Sequence, residues 1–341
     1  MATDEASLLA MARESEESEV LVAPDALITL TKPLLVASVI FAALALIPVL
    51  AEAWGGAWLT SLAVRAMILA IVAISLDLLM GQGGMVSFGH SAFVAIGAYA
   101  CGIMITEGVY EMALILPVAI AAAGLFALIS GAICLRTSGV SFIMITLAFG
   151  QMIYFALGSL AQYGADDGLT LWSGPDFLGT SWLGSDMGVY VTVFAVLLAT
   201  WALVHRITGA RFGRVLRAAR QNPTRVASMG YSVFRYRLTA YVIAGVIAAI
   251  AGVLWATHAA FISPSLGAWQ RSGDLIVMVV LGGMATRNGA LLGALFFILI
   301  EETLSSITHD WRLIFGPLLV LIALYARGGL VGLLDRVRGP R

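Results

Sequence analysis

The sequence predicts an all-α fold, a polytopic transmembrane helical bundle of about ten membrane segments that include broken or re-entrant helices. Three observations predict it. Hydrophobic residues fill 60% of the 341 positions and charged residues only 11%, less than half the roughly 25% typical of a soluble domain. The apolar residues come in runs in quick succession, and at about 20 residues per spanning helix the chain can cross a bilayer up to about ten times. The 36 glycines suit a membrane bundle, where small residues let helices approach closely without a hydrophobic driving force.

The chain opens on an acidic tail, 1–32, holding Asp4, Glu5, Glu14, Glu16, Glu17, Glu19 and Asp25. No positively charged start leads into an apolar core there, so it does not read as a cleavable signal peptide. Its composition predicts disorder or weak helix. The membrane domain, 33–327, follows. Its apolar segments fall at 34–53, 59–80, 85–105, 112–135, 139–161, 188–205, 234–258, 273–286, 288–307 and 312–327. Segment 273–286 is short and 85–105 is rich in Gly, Ser and His. Both are candidates for broken or re-entrant helices, which a bilayer tolerates only where protein or a water-filled cavity surrounds the freed backbone. A basic tail, 328–341, closes the chain. Cys101 and Cys134 lie inside apolar runs and read as small buried hydrophobes rather than a disulfide.

Arginine sets the orientation. Eight of the 19 basic residues lie between Arg206 and Arg237, and Arg327, Arg336, Arg338 and Arg341 close the chain. The loop 162–187 carries Asp166, Asp167, Asp176 and Asp186 and no basic residue. Loop 206–233 is therefore expected in the cytoplasm and 162–187 outside. Ten crossings with both termini cytoplasmic also put Arg136 and Arg287 inside, leaving Arg271 and Arg312 at outer loops.

Within the cytoplasmic loop, Arg211, Arg214, Arg217 and Arg220 recur every three residues and drift slowly round one side of a helix. Asn222-Pro223 then reads as an N-cap followed by proline at the first helical position. A short helix over 223–229 would end at Gly230, a residue suited to the left-handed C-terminal cap. Such a bounded helix, flanked by Arg225 and carrying Ala227, suits docking to a moving partner. The plainer alternative is anchoring at lipid headgroups, worth roughly 1 kcal/mol per arginine.

Inside the membrane, 81–91 reads GQGGMVSFGHS. Its glycines, among them Gly83 and Gly84, permit unwound backbone whose N–H and C=O groups can face a polar solute. Gln82, Ser87, His90 and Ser91 add neutral dipoles, which can pass a zwitterion without holding it tightly. Ordinary interhelical contacts are the competing reading for each. Asp274 opens segment 273–286, and Gly282-Gly283 can break it. Arg65 and Asp77 lie twelve apart, about 18 Å along a helix, too far to pair with each other. Each reads as an anchor near one end of its span, and Glu301 and Glu302 are expected at the outer mouth. Ala244, Ala248 and Gly252 form a small-xxx-small packing face. No histidine pair has metal spacing, and an arginine cluster between two spans does not make a nucleic-acid-binding domain.

Four stretches resemble the branched-chain amino-acid (LivM-type) permeases of ABC importers. They are SLDLLMGQGGMVSFGHSAFVAIGAYA at 75–100, LRTSGVSFIMITLAFGQMI at 135–153 leading to YGADDGL, the segment from Ala219 to Ala256, and LIVMVVLGGMATRNGALLGALFF at 275–297. In the last, Ala285 stands where a glycine is common and Ala290 where a proline is common. YGADDGL also differs from the commoner Gly-Gly form. The resemblance implies an inner-membrane importer of bacterial cells built from this chain, a second permease subunit, two ABC ATPase subunits and a periplasmic substrate-binding protein. Its cargo would be branched-chain or other hydrophobic amino acids, with urea, short amides or aromatic acids as the near alternatives. It makes 206–233 the coupling loop. A P-loop needs GxxxxGK[ST], and the only lysine is Lys32, in LTKP. ATP and Mg2+ are thus expected in a partner, and no cofactor in this chain. A stand-alone secondary transporter or channel is the reading from another class. Central intramembrane carboxylates and inverted repeats, expected of a cation-coupled carrier, are not evident.

Overall fold

The computed structural model describes residues 23–54, 56–177 and 179–307, with 313, 315–317, 329, 330 and 332 beyond them. The chain divides into two units, Met1–Leu46 and Ile47–Arg341. The first holds most of helix α1 (Ala23–Trp54), which starts about ten residues before the apolar segment expected from 34. The first 22 residues of the acidic tail lie outside the described residues. So do most of segment 312–327 and of the basic tail.

Among its described residues, the second unit is mostly helical. In chain order it runs α2 (Ala57–Asp77), α3 (His90–Thr106), α4 (Met112–Cys134), α5 (Val140–Gly158), α6 (Asp186–Gly209), α7 (Arg211–Gln221), α8 (Pro223–Ser228), α9 (Val233–Ala259), α10 (Trp269–Gly282) and α11 (Gly289–Ile307). Among the described residues, six helices are long and apolar enough to cross a membrane: Trp58–Gln82, Met112–Cys134, Val140–Gly158, Asp186–Gly209, Val233–Ala259 and Gly289–Ile307. Leu35–Ala51 and His90–Thr106 are shorter apolar helices. Nine of the ten apolar segments are therefore helical, and the tenth is the one largely outside the described residues.

The two expected breaks are present, one of them displaced. α2 continues through a π-helical turn, Leu78–Gln82, and non-helical chain then runs to Gly89, so the break precedes α3 rather than interrupting it. α10 has 14 residues, about 21 Å at 1.5 Å each and short of the roughly 30 Å hydrocarbon core. Gly283, at φ 112°, turns the chain in a conformation that disfavours any side chain. Ala285 is itself left-handed at φ 62°, which accounts for glycine being common there. Ala290 is the second residue of α11, in the first turn where proline is tolerated.

Helix contacts are made where side chains are smallest. α9 lies along α3 and α4, and Ala244, Ala248 and Gly252 are buried in that packing, as the small-residue pattern predicts. A Cβ on Gly97 would sit 2.0 Å from the Ala249 carbonyl oxygen, and one on Gly252 2.0 Å from that of Val94. The backbones therefore touch directly. α4 and α5 instead expose Leu125, Val140, Met144 and Phe155, as suits a face toward lipid or another membrane helix. A small antiparallel pair, Leu169–Thr170 with Phe261–Ile262, departs from the purely helical expectation. The loop carrying YGADDGL turns at Gly164 and Gly168, both at φ 86°, and so lies against the chain leaving α9.

Candidate translocation and coupling site

The end of α2 is tied to two other elements by named hydrogen bonds. Asp77, 7% exposed, accepts the Ala285 backbone N–H on Oδ1 at 2.9 Å. Gln82 donates from Nε2 to the Ala285 carbonyl at 3.3 Å. Both broken ends, the π turn after α2 and the loop after α10, are thereby fastened together. Gly81 makes this possible: a Cβ there would lie 2.1 Å from Asp77 Oδ1 and 2.6 Å from the Ala285 nitrogen.

α7 grips the same point. Arg217 Nη1 donates to Gln82 Oε1 at 2.9 Å, and Arg220 Nη1 donates to the Gly81 carbonyl. The Arg220 stem lies against Gly84, whose φ is 69° and whose Cβ would come within 2.7 Å of Arg220 Cγ. Leu216 and Ala219 are buried on the same side of α7, and Arg237 Nη2 on α9 donates to the Ala219 carbonyl at 3.1 Å. The three-residue arginine spacing explains the division of roles. Each step of three turns back by about 60° on a 3.6-residue helix, so Arg217 and Arg220 face the bundle while Arg211 and Arg214 face away. The latter two, with Val226, Met229, Tyr231 and Tyr236, line an open groove of about 570 Å3.

α8 forms over Pro223–Ser228, within a residue of the sequence expectation. Asn222 Oδ1 accepts the Arg225 N–H at 2.9 Å, and Gly230 is left-handed at φ 85°. Asn222→Ala should cost about 1 kcal/mol of local helix stability. Faster amide exchange at Arg225, with little change in α9, is the measurement that checks it.

Two cavities are lined by successive stretches of α2 and α11. One, about 360 Å3, is lined by Ile74, Asp77, Gln82, Trp201, His205, Arg217, Ala285 and Arg287 among others. Trp201 stacks on His205 with ring centroids 5.4 Å apart and donates from Nε1 to Asn288 Oδ1 at 3.0 Å. The other, about 40 Å3, is lined by Ile68, Val72, Ser91, Trp255, Arg271, Asp274 and Glu301 among others.

With this geometry in hand, the comparisons with known proteins decide the family. The family described as "Branched-chain amino acid transport system / permease component" matches residues 58–324. The chain belongs to that family. The high-affinity branched-chain amino acid transport system permease protein LivM of Escherichia coli K12 is 26% identical over 293 residues, covering 79% of this permease and 69% of that protein. A probable LivM of Methanocaldococcus jannaschii is 25% identical over 316 residues, covering 76% and 89%. The autoinducer 2 import system permease protein LsrC of Enterobacter sp. strain 638 is 30% identical over 242 residues, covering 69% and 60%. No solved structure matches.

The permease distributes its sequence-predicted residues unevenly. Gln82 reaches the larger cavity, and Ser91 and Asp274 the smaller. His90 is fully buried, with Nε2 2.8 Å from Ser75 Oγ and its ring edge-on to Phe93. It stitches α3 to α2 and lines neither of these two cavities. Ser87 is fully buried as well. Ser91 Oγ bonds Ser272 Oγ at 2.7 Å and donates to the Ala268 carbonyl at 3.1 Å, which docks α10 onto α3. Gly83 packs against Leu79 and Met85, and Gly282 against Gly289. Gly83, Gly84, Gly282 and Gly283 thus shape turns and contacts.

Four features escaped sequence reasoning. Arg65 is not an isolated anchor, since its Nη2 lies 2.7 Å from Glu301 Oε1. That pair joins α2 to α11, 236 positions apart, and no local pattern signals it. Asp77 holds Ala285 rather than snorkelling. Trp255 and Arg271 line the smaller cavity, and Arg217 with Arg220 turn inward to the broken end of α2.

Proposed function

We propose that this chain is the permease subunit of an ABC importer that carries branched-chain or other hydrophobic amino acids across the inner membrane. A separate ATPase binding ATP and Mg2+ powers it, a second permease subunit completes the membrane part, and a periplasmic binding protein delivers the cargo. The observation that carries this reading is the join of Arg217 to Gln82 and of Arg220 to Gly81. A helix beside the expected docking helix is bonded directly to the broken end of a membrane helix. A permease driven by an external motor needs such a link. Push on α8, and α7 moves the π turn and, through Asp77 and Gln82, the loop after α10.

The groove of Arg211, Arg214, Met229 and Tyr231 then serves as the ATPase contact, with Asn222, Pro223, Arg225, Ala227 and Gly230 shaping the docking helix on its rim. On this reading α7 and α8 lie in the cytoplasm together with both termini, as the arginine bias suggests. Gln82 and Asp274 are the pathway residues, each at one cavity. A second reading, import of another small polar solute, is favoured by the 30% identity to the autoinducer 2 permease protein.

Affinity purification of the tagged full-length chain from membranes tests the first point. An ATPase recovered in stoichiometric amount is expected, and its absence would sink the reading. Ala227→Pro removes a backbone donor from the six-residue α8 and should abolish that recovery while the chain stays in the membrane. Uptake competed by leucine, and not by urea or an aromatic acid, separates the cargo readings.

A further inference from the structure

Resting on the permease reading, which puts this end of the bundle in the cytoplasm, we infer that the larger cavity receives the phosphate of an anionic membrane lipid. At about 360 Å3 it is within the range of ligand pockets, about 300–1,000 Å3. The ends of α2 and α6, α7, the loop after α10 and the start of α11 all contribute to its wall. Two guanidiniums, Arg217 from α7 and Arg287 from the loop, reach it from different elements, against a single carboxylate, Asp77.

Asp77 does not answer those two cations. It accepts the Ala285 N–H at 2.9 Å, and the cation that attracts it is Arg220. Arg217 has five N–H donors and gives one to Gln82, a neutral group. Among the described residues no carboxylate pairs with Arg217 or Arg287, the one ion pair being Arg65 with Glu301. Cations beside a low-dielectric wall persist where an anion or polar groups meet them. Thr208 and Thr286 also line the cavity, but their hydroxyls donate to the His205 and Gly283 carbonyls. The lining is thus rich in cationic donors, and an acceptor-rich anion complements it. A phosphate is such an anion, and its oxygens match the guanidinium fork.

The surroundings favour a lipid as the source of that phosphate. Val191, Leu198 and His205 follow on α6 at steps of seven, nearly two full turns. Val191 and Leu198 are exposed, and His205 lines the cavity. One side of α6 therefore runs from hydrocarbon that acyl chains can cover to the cavity mouth. Trp201, stacked on His205, stands where tryptophans gather, at head-group level. Basic pockets between membrane helices on the cytoplasmic side are where anionic head groups bind. A phosphate held by both arginines joins α7 to the loop after α10. It acts beside the path of hydrogen bonds that runs from Arg217 through Gln82 to Ala285. Coupling between the cytoplasmic helices and the broken membrane helices then depends on the charge of the surrounding lipid.

The test uses the assembled transporter, with phosphatidylglycerol as the probe and native mass spectrometry as the readout of bound lipid. Phosphatidylglycerol should be retained at least tenfold better than phosphatidylcholine, whose own choline cation offsets its phosphate. Arg287→Gln should lower that retention at least fivefold, and Arg287→Lys should keep most of it. Arg136→Gln, at an exposed arginine outside the cavity, should leave it unchanged. In proteoliposomes, adding phosphatidylglycerol to phosphatidylcholine should raise wild-type uptake severalfold, and in Arg287→Gln that ratio should fall to near one. Equal retention of phosphatidylglycerol by wild type and Arg287→Gln would overturn the site and leave the permease reading standing. Displacement of the lipid by millimolar inorganic phosphate would assign the cavity to the free anion and overturn the lipid. Failure to recover any ATPase would instead defeat the permease reading, and the Arg287 comparison on the full-length chain alone would still decide the site.

Discussion

Arg217→Glu should abolish ATP-driven uptake while the ATPase stays bound and continues to turn over. The substitution sets a carboxylate against the Gln82 carbonyl oxygen, replacing a 2.9 Å charge-assisted hydrogen bond with repulsion. A bond to a charged group contributes about 1.5–3 kcal/mol, and each 1.4 kcal/mol is about tenfold in an equilibrium. If that bond transmits the push from α7, uptake falls roughly ten- to a hundredfold or more. Arg214→Glu, in the outward groove, should fail differently, by losing the ATPase. Measuring ATPase activity and solute uptake on the same proteoliposomes separates the two. The exchanged pair, Arg217→Gln with Gln82→Arg, re-creates the bond in reverse and should recover part of the uptake. Normal uptake by Arg217→Glu would remove the link between coupling helix and pathway.

The division between Arg214 and Arg217 marks the limit of sequence reading here. The fold class was legible because composition and segment length answer to one solvent, the bilayer, and need no tertiary information. The docking helix was legible for a local reason: Asn222, Pro223 and Gly230 each act on backbone within a turn of themselves. The three-residue arginine repeat was also visible, along with its drift round the helix. Which side of that drift meets the bundle depends on Leu216 and Ala219 packing inward, a tertiary fact. The pathway was harder for the same reason. GQGGMVSFGHS contains the polar atoms expected of a pathway, but His90 Nε2 and Ser91 Oγ are engaged by Ser75, Ser272 and the Ala268 carbonyl. Polar groups in a bilayer must find partners, and a neighbouring helix serves as well as a solute. Arg65 and Glu301 illustrate the converse, two charges 236 positions apart that were read separately and that the fold brings into contact.

Gly282→Val should reduce the amount of folded protein before it touches transport. A Cβ at 282 would lie 1.8 Å from the Gly289 carbonyl oxygen, and on the facing helix a Cβ at 293 would lie 1.9 Å from that of Met278. Both obstacles are backbone, so no rotamer change relieves them and α10 must part from α11. Overpacking a close contact costs about 1–3 kcal/mol, and a clash with main chain belongs at the upper end. For a chain of this size each kcal/mol is worth about 2–4 °C, so the apparent melting temperature should drop on the order of 5–10 °C, with lower abundance in membranes. Gly124→Ala is the matched control, because the nearest atom to its new Cβ is Val246 Cγ2 at 3.7 Å, an ordinary contact. A thermal-shift series on the two purified variants compares them directly. Wild-type abundance and melting for Gly282→Val, with transport lost, would return Gly282 to the pathway that the sequence first assigned it. The expected result instead makes the glycines of α10 and α11 the reason a helix too short to span the membrane holds its place.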